Sequence, residues 1–304
     1  ALDATAEWAP APAPRPRPPL ALRPRRLSVT EIETWNRDPY AIYARHVLKL
    51  APLEALDQGP SAADRGTIIH AALQRFIDQA PRHGGETGEQ AARRLMAIGA
   101  GLFETLPDAP EIKAFWWRRF VRAARWFAET HAAGSALIAA SFTERRGEIA
   151  IPAPAGTFTL SGRADRIDLM GDGTLEIIDY KTGTTPSPSQ VESGLIPQLS
   201  LEAAIAEAGG FAPDGIGACP VARLAYISLS GAEPPGKIAD IATGGASALG
   251  AEALAGLTRK IAAFDNEAVP YLSRPHPMFA SRYADYDHLA RVKEWARDAA
   301  GESQ

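Results

Sequence analysis

The stretch "GRADRIDLMGDGTLEIIDYKTG", residues 162–183, constrains this chain more than any other. Two alternating, β-branched runs meet at Gly171-Asp172-Gly173, a strong hairpin signal. Period two puts Ile177, Asp179 and Lys181 on one face of the second strand, and Ile178 and Tyr180 on the other. With the turn centred on Asp172, Asp165 lies directly opposite Asp179. Cross-strand partners share a face, within roughly 5.5 Å at Cβ, so two carboxylates converge with Lys181 beside them. A one-residue slip would send one acid to the other face.

The rest of the chain frames this hairpin. Upstream, "LSVTEIETWNRDPYAIYARHVLKL" predicts a helix capped by Ser28 or Thr30 and interrupted by Pro39. "RGTIIHAALQRFIDQA" predicts another, with Ile69, Leu73, Phe76, Ile77 and Ala80 as its apolar stripe and His70 at the border. Residues 81–90 read as a loop, followed by helices over about 91–106 and 110–132. The period then changes: "FTERRGEIAIP", the two arms of the hairpin and "ARLAYISLSG" predict four strands. "IPQLSLEAAIAEAGGF" between the third and fourth strands predicts a crossover helix, with Pro197 in its first turn and Gly209-Gly210 at its end. Helices are expected over 249–266 and 285–298. "APAPAPRPRPPLALRPRR", residues 9–26, has no apolar face and reads as a polyproline-like spacer; its arginines are either solvated or phosphate contacts. The expected division is a disordered linker over 1–26, one α/β domain over 27–298 and a flexible tail over 299–304. From a linker at the start, the expectation is a chain that forms the tail of a longer protein.

Composition narrows the chemistry. The 304 residues are 46% hydrophobic and 22% charged, enough for a large core, and the net charge of -4 excludes nucleic-acid binding by bulk charge. Any such contact must use local patches or metal ions. The single cysteine, Cys219, excludes an internal disulfide and any four-cysteine zinc or iron–sulfur site, which fits a reducing cytoplasm. No apolar run of about 18 residues and no signal-peptide pattern occurs, so neither membrane insertion nor secretion is expected.

Asp165, Asp179 and Lys181 on one surface have two readings. One is a salt bridge at a strand end. The other is a hard-cation site such as Mg²⁺, with the Tyr180 carbonyl as a further oxygen ligand and Lys181 orienting water. Gly162-Arg163-Ala164-Asp165, then Asp179-Tyr180-Lys181-Thr182-Gly183, then Gln198-Leu199, resemble the motifs of the PD-(D/E)XK nuclease superfamily in its RecB-like branch. Arg65-Gly66-x-x-x-His70 matches that branch's histidine motif. Over residues 27–298 the chain is similar to the C-terminal nuclease domain of AddB proteins in their proteobacterial form.

The resemblance implies a restriction-endonuclease-like α/β fold: a mixed sheet flanked by helices, with helical additions at both ends. It implies a Mg²⁺-dependent deoxyribonuclease, with Mn²⁺ able to substitute, in double-strand-break processing. His70, Asp165, Asp179 and the Tyr180 carbonyl would bind metal, Lys181 would position or activate water, and Gln198 would support the site. The implied partners are DNA, single-stranded near a duplex end, and an AddA-type helicase–nuclease subunit; there is no membrane partner. Many relatives carry an iron–sulfur cluster, but the first cysteine's place is taken here by Asp38 before Pro39-Tyr40, so no cluster is expected and the helix around Asp287-His288-Leu289 would dock by packing or hydrogen bonds. In the glutamine motif a common tyrosine is replaced by Glu202, which either reaches the site or, as expected here, is solvated. The alternative class is a catalytically silent DNA-end-binding or docking module, and an RNA substrate is compatible with the same site chemistry.

Three further features have paired readings. Alone, His70 is a packed or half-buried histidine; its motif makes it a site residue. None of the other histidines, His46, His83, His131, His276 and His288, has metal-site spacing to another. In "KAFWWRRFVRAARWF", Trp116, Phe120, Ala124 and Phe127 form an apolar face, while Arg118, Arg122 and Arg125 form a basic face that is either solvated or a guide for single-stranded DNA.

Overall fold

The computed structural model describes residues 12–52, 59–80, 86–106, 109–276, 278 and 284–296. The parts of the expected linker, loop and tail at 1–11, 81–85 and 299–304, and His83, lie outside the described residues. The chain divides into two compact units. One draws on Ala1–Glu54, Ala150–Thr159 and Leu257–Gln304, and the other on Ala55–Ile149 and Leu160–Gly256.

The elements run β1 (Arg26–Ser28), α1 (Val29–Arg37), α2 (Pro39–Ile42), α3 (Ala62–Asp78), α4 (Gly88–Glu104), α5 (Pro110–Gly134), β2 (Ile138–Ile151), β3 (Phe158–Met170) and β4 (Leu175–Lys181). They continue with α6 (Pro188–Glu192), α7 (Gln198–Glu207), β5 (Val221–Ser228), β6 (Lys237–Thr243), α8 (Ala246–Phe264) and α9 (Val292–Trp295). The fold is mixed α/β: a six-stranded mixed sheet ordered β1-β3-β4-β5-β6, with β2 also on β3, flanked by helices. β3–β4 is antiparallel and β4–β5 parallel, so α6 and α7 form the expected crossover. Two of the six strands escape the sequence reading: β1 is three residues long, and β6 is an antiparallel strand beside β5 that buries little more than Ile241. Among the described residues, no helix is long and apolar enough to cross a membrane.

In the first unit, Ser28 caps α1 and Glu31 closes the reciprocal box, its carboxylate accepting from the Ser28 N–H at 2.9 Å. Pro39 starts α2, where its missing N–H costs nothing, and the chain continues through a wider π turn over Tyr43–Val47. The Pro/Arg segment differs from the solvated spacer expected. Arg23 is buried and donates to the carbonyls of Pro18, Phe264, Asn266, Glu267 and Val269 at 2.6–3.2 Å. The expected 285–298 helix shortens to α9, because Arg291 takes a left-handed φ of 55° and turns precede it. Docking near Asp287 is as expected: Arg274 pairs with Asp287 and donates its N–H to Asp38, while Tyr286 and Ala290 pack with Tyr40 and Ala44.

In the second unit, α3, α4 and α5 turn their apolar faces inward. Leu73 and Phe76, Leu95 and Phe103, and Phe120 and Phe127 share one core with Ile178 and Tyr180 of β4. α7 is buried on every side, with Leu199, Leu201, Ala203, Ala204, Ile205 and Ala206 distributed around it and Gln198, Ser200 and Glu202 buried among them. α8 crosses it so closely that a Cβ on Gly250 would lie 3.2 Å from the Ala203 Cβ and the Ser200 carbonyl oxygen.

A closed polar network also sits in this core. Arg166 donates to Asp168 at 2.7–2.8 Å, Ser141 donates to the same carboxylate at 2.6 Å, and Arg166 Nη2 lies 3.3 Å from His131 Nδ1. Because the guanidinium can only donate, His131 accepts at Nδ1, and burial followed by the Arg166 charge pushes its pKa down to about 4. Asp168→Ala would strand a buried guanidinium. We expect it to cost about 3–5 kcal/mol in urea unfolding, well above an ordinary surface change; a loss below about 1 kcal/mol would mean that water or His131 suffices for Arg166.

Candidate active site

The β3–β4 register pairs Arg166 with Ile178 and Ile167 with Ile177, the register of the hairpin reading, so Asp165 and Asp179 follow next along the two strands. Asp165 Oδ2 accepts the Tyr180 N–H at 2.8 Å, tying the two strand ends together. The faces also divide as expected: Ile178 and Tyr180 enter the helical core, and Asp179 and Lys181 turn toward α7.

Asp179 is only 2% exposed. Its Oδ1 accepts from Gln198 Nε2 at 2.6 Å, and Lys181 Nζ lies 2.6 Å from Oδ2, off the direction of a hydrogen bond. Lys181 also donates to Gln198 Oε1 at 3.3 Å and lies 5.4 Å from the Tyr226 ring centroid. Gln198, the first residue of α7, therefore has its amide orientation fixed: oxygen toward the ammonium, nitrogen toward the carboxylates. Burial, then the neighbouring Asp165, pushes the Asp179 carboxyl up to about 6. Burial opposes the Lys181 charge, yet Asp179 and Asp165 outweigh it and hold the ammonium above its usual pKa.

On the other side of Asp165, α3 presents His70. Its Nδ1 lies 3.4 Å from Asp165 Oδ2 and its ring stands edge-on to Tyr180 at 5.9 Å. Burial opposes its protonation, but the Asp165 hydrogen bond and charge, with Asp179 and Glu144 behind, raise its pKa overall. Glu144 of β2 joins it: one ligand atom each from His70, Glu144 and Asp165 lies within 4.8 Å of the others. These three line a cleft of about 390 Å³ with Gly66, Gln74 and Arg163. Glu144 is held by Arg163 at 2.6 Å and takes a left-handed φ of 54°, a strained conformation for a residue with a Cβ. Burial and the Asp165 charge raise its pKa.

The sequence reading missed Glu144, which carries no motif of its own; its strained backbone is visible only in the fold. It also placed Glu202 in solvent. Glu202 is fully buried instead, accepting from Gln198 Nε2 at 3.3 Å through Oε1, while Oε2 has no hydrogen-bond partner. Arg118, Arg122 and Arg125 line the exposed face of α5, opposite buried Trp116, Phe120 and Phe127.

Residues 26–301 match a family model described as the PD-(D/E)XK nuclease superfamily. The chain belongs to this superfamily. Its members are typically nucleases that use a divalent metal. Similar proteins include an uncharacterized protein of Rickettsia bellii (strain RML369-C), 29% identical over 188 residues, which are 62% of this chain and 22% of that protein. Uncharacterized protein RC0550 of Rickettsia conorii is 29% identical over 191 residues, 62% of this chain and 23% of its own length. The chain thus spans less than a quarter of the curated relatives it matches. A solved structure, that of SSO0001, aligns over 76% of both chains at 11% identity and a TM-score of 0.31.

The donor set fits the superfamily's cation. Nitrogen and carboxylate oxygen from three separate elements meet at one point, and burial followed by the Asp165 charge raises the Glu144 and Asp179 carboxyls, a crowding of acids that a cation would relieve. Glu202 is the acid most perturbed by burial, followed by the charges of Asp179 and Asp165, and its pKa stands well above the usual 4.5. A raised folded-state pKa gives stability that is complete below the unfolded value and lost as pH rises. Glu202→Gln should therefore gain melting temperature over the parent, by more at pH 8 than at pH 5. An equal difference at both values would show that Glu202 is ionised in the fold.

Proposed function

We propose that the chain is a Mg²⁺-dependent deoxyribonuclease module of an AddB-type helicase–nuclease, acting in the cytoplasm on single strands near broken duplex ends. The observation that carries the chemistry is the meeting of His70, Glu144 and Asp165 within 4.8 Å, beside a lysine held 2.6 Å from Asp179. The AddB-type assignment, and with it an AddA-type partner, rests on the motif resemblance over residues 27–298.

His70, Glu144 and Asp165 would hold the cation, with Asp179 and the Tyr180 carbonyl as the further oxygen donors offered by the hairpin. When bound, the cation supplies Lewis-acid charge to the phosphoryl oxygens. The chain's own groups do the rest. Lys181, kept protonated by its acidic neighbours, donates to the attacking water or to a phosphoryl oxygen and stabilises charge as it builds. Gln198 holds Lys181 and Asp179 in fixed relation, so little reorganisation is needed at the moment of attack. The exposed Arg118, Arg122 and Arg125 face supplies the local positive charge that the net balance lacks.

End-labelled single- and double-stranded DNA, with Mg²⁺ or EDTA, tests this directly. Asp165→Ala and Lys181→Ala should each lower the cleavage rate by about 100- to 1000-fold. Lys181→Ala should keep metal affinity while Asp165→Ala loses it. Wild-type rates in Lys181→Ala would remove the lysine from the chemistry, and metal binding without cleavage by the parent would favour a silent docking module.

Metal binding should also be pH-dependent. His70, Glu144 and Asp179 have raised pKa values without metal, so the cation competes with protons for them, and the competition grows as pH falls. Mn²⁺ affinity should fall from pH 8 to pH 6, and calorimetry in two buffers of different ionisation enthalpy should show proton release. An affinity flat across this range would place the cation elsewhere.

A further inference from the structure

Near the first turn of α3 lies positive charge that the proposed chemistry leaves unused. Arg65 donates Nη2 to the carbonyl of Thr182 at 3.1 Å, one residue beyond Lys181. Its Nε is buried with no hydrogen-bond partner. The charge acting on it is another cation, Arg119 of α5; burial and then Arg119 hold the Arg65 guanidinium below its usual pKa. Among the described residues, no carboxylate pairs with either arginine. Arg119 instead lies over the ring of Phe115, 4.9 Å from its centroid, and Phe115 is 55% exposed.

Packing fixes this arrangement. A Cβ on Gly66 would stand 3.3 Å from Thr182 Oγ1, and one on Gly231 would fall 2.2 Å from the Arg119 carbonyl oxygen. The backbone of Arg119 is therefore packed against Gly231, and Gly66, next to Arg65, sits close to the Thr182 side chain. Along α5, Phe115, Arg118, Arg122 and Arg125 follow at spacings of three and four residues, so they form one exposed ridge beginning beside Arg119.

Two guanidiniums at the β4 and β5 ends, Arg65 on the Thr182 carbonyl and Arg119 beside Gly231, with no carboxylate partner among the described residues and one stranded donor, cost free energy in the protein alone. An anion with several acceptor oxygens offsets that cost, and a phosphodiester is such an anion. The exposed ring adds a stacking surface, which only an unpaired base can use. We infer that Arg65 and Arg119 hold the phosphate adjacent to the one cleaved and that Phe115 stacks on an unpaired base, making the Phe115–Arg125 ridge a track for single-stranded DNA. This deepens the nuclease reading and rests on it for the position of the cut.

Binding of labelled single-stranded and duplex oligonucleotides to the purified chain in EDTA, over a salt series, tests the track without cleavage. Arg65→Gln and Arg119→Gln should each weaken single-strand binding about 3- to 10-fold at low salt. Each should also reduce the slope of log affinity against log salt by about 0.7. Arg65→Lys should retain the slope. Phe115→Ala should lose about fivefold or more on single strands and little on duplex. Melting curves establish that each variant is folded; should Arg65→Gln not fold, Arg119→Gln and Phe115→Ala decide the matter. Parental affinity and slope in the folded variants would overturn the inference, as would equal losses on single strands and duplex for Phe115→Ala. A parent that binds in this way but cleaves nothing with Mg²⁺ would sink the nuclease reading and leave the track standing. Cleavage by the parent with unchanged binding in the variants would sink the track alone.

Discussion

The hydrogen bond from the Tyr180 N–H to Asp165 Oδ2 is the contact on which the site depends. It joins two neighbouring strands at their ends and fixes where the acid of β3 stands against the acid and lysine of β4. Displace the register by one residue and Asp179 would enter the aromatic core while Tyr180 turned toward α7. The core resists that slip, because Tyr180 packs against His70 and Phe127 in edge-on contacts at 5.8–5.9 Å. Hydrophobic packing on one face of β4 thus sets the electrostatics of the other.

That second face is overloaded with acid. Glu144, Asp179 and Glu202 all have raised pKa values; Arg163 pairs with Glu144 and Lys181 with Asp179, and among the described residues Glu202 has only the uncharged Gln198 amide within hydrogen-bond reach. At an effective dielectric of about 20, two like charges 4 Å apart repel by roughly 4 kcal/mol, so the group survives by holding protons or by taking up a cation. Glu202 is the extreme case, buried with one oxygen unpartnered. It stands behind Gln198, and a neutral Glu202 leaves the glutamine amide free to spend its stronger bond on Asp179, at 2.6 Å against 3.3 Å.

Local patterns made much of this legible. The Gly171-Asp172-Gly173 turn gave the register, the 3.6-residue stripe of α3 placed His70 at the edge of the core, and the run between β4 and β5 announced a crossover. Glu144 was beyond reach, because its side chain is aimed by a left-handed backbone on a strand whose neighbouring residues are also charged. Arg23 was hidden for another reason: four of the five carbonyls that hold it belong to residues some 240 positions away. Glu202 was misread against an available signal. Leu199, Leu201, Ala203, Ala204, Ile205 and Ala206 spread around α7 on every side of it, and a helix with apolar residues on all its sides is buried together with the polar residues among them.

The two faces of the β3–β4 hairpin solve opposite problems with the same alternation. Arg166 and Asp168 point one way and form a closed set with Ser141 and His131, in which every charge has a partner and no ligand is called for. Asp165 and Asp179, one residue out of phase, point the other way into a set of four acids with Glu144 and Glu202, in which Asp179 Oδ2 and Glu202 Oε2 have no hydrogen-bond partner. Closed networks hold a fold together; unbalanced ones are tolerated where something else completes them. The shortage of cation around Asp165 and the excess of cation at Arg65 and Arg119 lie on either side of Lys181 and Thr182. On the proposed function, a metal ion would answer the first and a phosphodiester the second, and a metal-bound strand of nucleic acid would bring both at once.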